Sequence, residues 1–234
     1  MAKCLIIIPA YNEAGNIENV VNNLITNYPQ YDYVIINDGS RDNTEKICLQ
    51  NHYEVLNLPI NLGIGGAVQT GYCYARDNDY DMAVQIDGDG QHDVAFLEGM
   101  IRLIEDGQAD VVIGSRFVEK EGFQSSKLRR TGISFLSGLA RILTGVKVKD
   151  ITSGYRLVNR RFIQIFAQDY PSDYPEPEAV VIAAVHGGRI AEYPVVMRER
   201  ENGESSITFK RSVYYMIKVT LAMLIRRLSF GVRR

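Results

Sequence analysis

With 234 residues, 46% hydrophobic and 23% charged side chains and a net charge of −2, the chain has the composition of a folded protein. It is long enough for one large domain or a domain plus a short appendage; a disordered chain is excluded, and no overall basicity points to nucleic acid. Cys4, Cys48 and Cys73 are far apart and odd in number, so no disulfide framework or metal spacing is expected and a reducing compartment is the simpler reading.

The apolar run Cys4 to Ile8 is β-branched on both faces, as in a strand buried in a parallel sheet. Pro9 and Asn12-Glu13 cut it off before a secretory core forms, so the expected location is the cytoplasm. Ile17, Val20, Val21, Leu24 and Ile25 follow at helical spacing. A second strand, Tyr33 to Ile36, ends in Asn37-Asp38-Gly39-Ser40, and a helix starts near Asp42-Asn43-Thr44. A third, about Tyr53 to Leu58, precedes Asn61-Leu62-Gly63 and a helix with Ala67, Gly71 and Ala75. The fourth, Met82 to Ile86, stops abruptly in Asp87-Gly88-Asp89-Gly90-Gln91-His92-Asp93.

Next come a helix, Val94 to about Asp106, a strand, Asp110 to Gly114, and a polar loop, Glu119 to Lys127. An apolar helix runs through Leu143, and Asp150 to Gln168 forms another unit. Pro171, Pro175 and Pro177 read as a stiff connection, Glu178 to His186 as a helix ended by Gly187-Gly188, and Ile190 to Met197 as a strand. The last helix, about Thr208 to Leu228, is apolar with a basic fringe. Ser205 to Arg234 contains Lys210, Arg211, Lys218, Arg226, Arg227, Arg233 and Arg234 and no acid. No window reaches the roughly 18 to 20 apolar residues of a membrane span.

Strands alternating with helices imply a mostly parallel sheet with helices on both faces, and such sheets bind ligands beyond the carboxyl ends of their strands. The polar clusters after the first four strands can therefore meet at one site. Asp87 and Asp89, two residues apart, repel one another unless a cation intervenes, and hard divalent ions take such oxygens; an acidic glycine turn is the plainer reading. With glycine loops around it, the ion suits a nucleoside diphosphate, whose two phosphates it would bridge. Tyr11 can stack on a base and Asp38 can accept from its ring N–H, or they serve as packing and turn residues. A dinucleotide fingerprint is excluded, because Ile8-Pro9-Ala10 occupies the first β-α turn.

Pro9-Ala10-Tyr11-Asn12-Glu13, Asn37-Asp38-Gly39-Ser40, Asn61-Leu62-Gly63 and Asp87-Gly88-Asp89-Gly90-Gln91-His92, in that order, resemble family 2 glycosyltransferases of the GT-A fold. Gly114-Ser115-Arg116, Arg130 with Ser134, Ser153-Gly154-Tyr155-Arg156 and Arg200 with Gly203 and Ser205 make the chain most similar to the dolichyl- and polyprenyl-phosphate branch. The resemblance implies a catalytic domain over 1–207, and the residues after it, 208–234, read as a basic amphipathic helix. It implies that Pro9, Ala10, Tyr11, Glu13, Asp38, Gly63, Asp87 and Gly88 hold the donor nucleotide. Asp87, Asp89 and Gln91 would hold Mg²⁺ or Mn²⁺. Arg116, Arg130 and Ser134 would bind the acceptor phosphate, and Arg200 the donor diphosphate or that phosphate, since forked guanidinium donors match phosphate oxygens.

The expected reaction is inverting transfer from a nucleotide sugar, UDP-glucose or UDP-N-acetylglucosamine, to polyprenyl (undecaprenyl) phosphate at the inner face of the cell membrane. The alternatives are a saccharide hydroxyl acceptor in wall-polymer assembly and a nucleotide-sugar-binding subunit without turnover. A hydroxyl would need a base, Asp150 or Glu178, although Asp150 also reads as a partner of Arg156; His92 reads as support behind the metal ligands. The chain departs from the pattern at Ser205-Ser206, where relatives usually have Ser-Lys, leaving Lys210 as a substitute. The final helix is expected at the membrane surface, against the core or a second copy, or docked on a small integral membrane protein.

Overall fold

The computed structural model describes residues 2–119, 127–197 and 209–232. Four β-α units open the chain: β1 (Cys4–Ala10) and α1 (Ile17–Asn27), β2 (Asp32–Asn37) and α2 (Thr44–Gln50), β3 (Val55–Asn57) and α3 (Gly63–Asp77), β4 (Met82–Gln85) and α4 (Leu97–Glu105). β5 (Val111–Ser115), α5 (Lys127–Thr144), β6 (Arg156–Asn159), α6 (Arg160–Gln168), α7 (Pro175–Val185), β7 (Ile190–Pro194) and α8 (Phe209–Val232) complete it. The seven strands form one sheet in the order β3-β2-β1-β4-β6-β5-β7. The fold is the expected α/β arrangement with a mostly parallel sheet.

β6 alone runs against the others, pairing antiparallel with β4 and β5. Its register sets Arg156 against Gln85, so the start of β6 lies at the carboxyl end of β4. Four residues headed by an arginine carry no periodic signal, which is why this strand is silent in the sequence. α7 begins at Pro175 rather than Glu178. Pro175 and Pro177 fall in its first turn, where a missing N–H costs nothing, so the prolines start the helix instead of stiffening a linker. β7 stops at Pro194, before the expected Met197. The polar loop after Glu119 falls mainly on 120–126, outside the described residues.

Alternate side chains of β1 feed opposite faces of the sheet. Ile6 and Ile8 pack with Val21 and Leu24 of α1 and Met100 of α4. Leu5 and Ile7 pack with Val68 and Tyr72 of α3 and Phe162 and Phe166 of α6. α8 buries Val219 and Met223 against α5 and α7 and leaves Tyr214, Ile217, Leu221, Ile225 and Leu228 exposed on another face. No helix among the described residues is long and apolar enough to cross a membrane.

Gly65, near the start of α3, lets the segment before α7 lie directly on that helix. Its N–H donates to Ser172 O at 3.1 Å, and a Cβ there would sit 1.9 Å from Pro171 O. Gly65→Ala should therefore lose about 1–3 kcal/mol, read as a melting temperature lower by roughly 2–12 °C. An unchanged melting temperature would show that the 171–176 segment is free to shift.

Candidate active site

The ends of β1, β2 and β4 and the start of α3 enclose a cavity of about 390 Å³. Pro9, Ala10, Tyr11, Glu13, Asp38, Asn61, Gly63, Ile64, Ala67, Asp87, Gly88, Asp89 and Glu176 line it. All the residues expected at the donor nucleotide are thus brought to one wall. β1 and β2 end at the same level, with Ala10 beside Asn37, and β4 runs parallel to them and ends beside Ile7, so all three following loops leave the same edge of the sheet.

Cross-bracing holds those loops. Asn12 adopts a left-handed φ of 57°, donating through its N–H to Ser40 Oγ at 3.0 Å and accepting Arg41 N–H at 2.8 Å. Glu13 N–H donates to Thr44 Oγ1 at 2.9 Å, and Glu13 Oε2 accepts from Asn16 Nδ2 at 2.7 Å. Asp38 accepts Leu62 N–H at 2.7 Å and Gly63 N–H at 2.9 Å, one on each carboxylate oxygen. It therefore ties the end of β2 to the start of α3, a role the sequence does not announce. Burial pushes the Asp38 carboxyl above its ordinary pKa, and the two amides oppose that shift. Each oxygen keeps a second lone pair for a ligand N–H.

Behind Asp87 and Asp89 lies a second layer. Gln85 Nε2 donates to Asp87 Oδ1 at 3.1 Å, and Asp87 N–H donates to His92 Nδ1 at 3.1 Å. With Nδ1 accepting, the ring proton sits on Nε2, 3.8 Å from Asp87 Oδ2. His92 stacks on Tyr155 with ring centroids 5.1 Å apart, and Tyr155 Oη donates to Asp93 O at 3.1 Å. His92 therefore braces the main chain at Asp87. Asp89 Oδ1 accepts Gln91 N–H at 3.1 Å, while the Gln91 side chain does not line the cavity. Among the described residues no three His, Cys, Asp or Glu side chains gather as a metal group. Two hard carboxylates still fit Mg²⁺ or Mn²⁺ with a diphosphate and water completing the shell, which is how Mg²⁺ is commonly held.

The residues expected at the acceptor phosphate are elsewhere. Arg130 and Ser134 are exposed and lie four apart on α5, a spacing that puts them on one face. Arg200 lies outside the described residues, as do Ser205 and Ser206. Arg116 is buried and grips Asp150: Nε reaches Oδ2 and Nη2 reaches Oδ1, each at 2.7 Å, and its main-chain N–H donates to Oδ2 at 3.0 Å. This corrects the sequence-based pairing of Asp150 with Arg156. Glu178 is bound by Arg226 Nε of α8 at 2.8 Å and lines a separate cavity between α7 and α8. Neither base considered for a hydroxyl acceptor lines the donor cavity.

Glu176, which does, escapes the sequence reading. The Pro-Glu-Pro-Glu run holds the signal, because a proline at the first helical position directs the next acid into the opening turn of α7.

Residues 5–166 match the model of the family described as "Glycosyl transferase family 2". The polyprenol monophosphomannose synthase of Mycolicibacterium smegmatis is 29% identical over 227 residues, covering 93% of this chain and 85% of that protein. The UDP-N-acetylglucosamine–dolichyl-phosphate N-acetylglucosaminyltransferase of Methanococcus voltae is 32% identical over 210 residues, covering 81% and 83%. Among solved structures, glucosyl-3-phosphoglycerate synthase from Mycobacterium tuberculosis in complex with Mn²⁺, UDP and glucosyl-3-phosphoglycerate superposes with a TM-score of 0.71 at 20% identity, covering 97% and 80%. That identity speaks for the fold.

Proposed function

This chain belongs to glycosyl transferase family 2, and on that premise we propose that it moves a hexose from a UDP-linked donor to a polyprenyl phosphate at a membrane surface. The donor is read as UDP-glucose or UDP-N-acetylglucosamine. One observation carries the reading: the ends of three strands and the start of α3 gather Pro9, Tyr11, Asp38 and the Asp87/Asp89 pair around a single cavity. Support for the lipid acceptor comes from the relatives, whose names are those of polyprenol- and dolichyl-phosphate sugar transferases. A phosphate acceptor is already ionised at neutral pH, so the in-line displacement needs no group to remove a proton, which agrees with Asp150 and Glu178 being held by arginines.

In this scheme Tyr11, exposed at the cavity, stacks on the base, and Asp38 accepts its ring N–H. Asp87 and Asp89 would hold the divalent ion, which would supply charge neutralisation to the leaving diphosphate. Arg130 and Ser134, on one exposed face of α5 and outside the cavity lining, are assigned to the acceptor phosphate by the family pattern alone. Incubation with undecaprenyl phosphate, Mn²⁺ and a panel of nucleotide sugars, followed by mass spectrometry of the lipid, tests this. Absence of glycosylated lipid with every donor would refute it.

The exposed apolar row of α8 is assigned to the lipid surface, with Arg227 beside it and exposed. Leu221→Glu with Ile225→Glu should reduce co-sedimentation with anionic liposomes about tenfold or more, since two large apolar contacts become charges. UDP affinity should not change. Undiminished liposome binding would remove the membrane role of this face.

A further inference from the structure

Among the described residues the largest fully buried side chain is a cation. Arg156, the first residue of β6, is 1% exposed, and its Nε has no hydrogen-bond partner among the described residues. Nη1 donates to Glu176 O at 3.0 Å and Nη2 to Ser153 O at 3.4 Å. Burying a guanidinium against two carbonyls is costly, so what those carbonyls belong to matters. Ser153 precedes Gly154, where a Cβ would lie 3.3 Å from both carboxylate oxygens of Asp87. The other carbonyl belongs to Glu176, on the cavity wall. Arg156 thus joins the backing of Asp87 to the residue beyond it.

The sheet orders these parts. Pro9, Tyr11 and Asp38 stand over β1 and β2, Asp87 and Asp89 follow β4, and Glu176 is bound from β6, the next strand along. A nucleoside, a diphosphate and a hexose are linked in that same order. Resting on the transferase reading, we propose that the Glu176 carboxylate reads the hydroxyls of the transferred hexose and that Arg156 is a positioning residue that fixes it on the β6 side of Asp87. A carboxylate accepts from two adjacent hydroxyls and so distinguishes epimers that differ at one of them.

Calorimetry with Mn²⁺ and UDP, UDP-glucose, UDP-galactose and UDP-N-acetylglucosamine, on wild type and Glu176→Gln, tests this without an acceptor. Glu176→Gln should bind UDP as wild type does, bind the preferred UDP-hexose about tenfold more weakly and lose discrimination among the three. Arg156→Gln should shift preference the same way, with Arg156→Lys partly restoring it; thermal melts identify any variant that fails to fold. Unchanged preference in Glu176→Gln overturns the proposal. An equal loss for UDP itself overturns it by placing Glu176 at the nucleotide or metal. A wild type that binds no UDP would instead remove the UDP-donor reading beneath it.

Discussion

Asp89→Ala is expected to lower sugar transfer by about 10³-fold or more, since an ion on a leaving diphosphate supplies several kcal/mol of charge stabilisation and about 1.4 kcal/mol is tenfold in rate. The loss should fall on kcat and on Mn²⁺-dependent UDP affinity together. Stability should hardly move, because the side chain is half-buried at the cavity and the removed charge sits two residues from Asp87. Truncation removes the hydrogen bond that Asp89 Oδ1 accepts from Gln91 N–H, worth about 0.5–1.5 kcal/mol, and relief of repulsion with Asp87 offsets part of it. A melting temperature within about 4 °C of wild type, with activity gone, is the expected pair of results. Substantial activity in a folded Asp89→Ala protein would show that the acidic turn is only a turn.

That turn also marks how far the sequence is legible. β1, β2 and β4 announce themselves because both faces are buried and the apolar run ends where the sheet ends, in residues that solvent or a ligand must meet. Everything that depends on those ends meeting, from Pro9 to Asp89, can be read one motif at a time. Asp38 reads as a ligand residue, but its capping of α3 is hidden, since a carboxylate in an Asp-Gly turn looks alike whether it faces a base or two amides. The second half of the site depends on β6, whose four residues enter the sheet backwards and bring Arg156 beneath Glu176. No local pattern encodes an antiparallel insertion between two parallel strands. α8 shows a different limit. Its sequence offers a core role or a membrane role as alternatives, and the helix has a face suited to each.

The Arg116–Asp150 pair carries the largest expected effect on stability. Asp150 is fully buried, Arg116 is 6% exposed, and the carboxylate receives the guanidinium through two bonds and the Arg116 main chain through a third. The same aspartate is held from behind, its N–H donating to Glu192 Oε1 at 2.8 Å. Asp150→Ala removes the carboxylate that the buried guanidinium is bonded to through two hydrogen bonds and should cost about 3–5 kcal/mol, whereas replacing both partners by apolar residues of similar volume is far less harmful. Arg116→Met with Asp150→Leu is therefore expected to be more stable than Asp150→Ala alone, despite carrying one more substitution. Chemical denaturation of the single and double variants measures the difference directly. An Asp150→Ala protein as stable as wild type would mean that the pair can open, which would release Arg116 for the acceptor phosphate assigned to it by the family pattern. A strongly destabilised Asp150→Ala, with stability regained in the double variant, fixes Arg116 as the residue that anchors the end of β5.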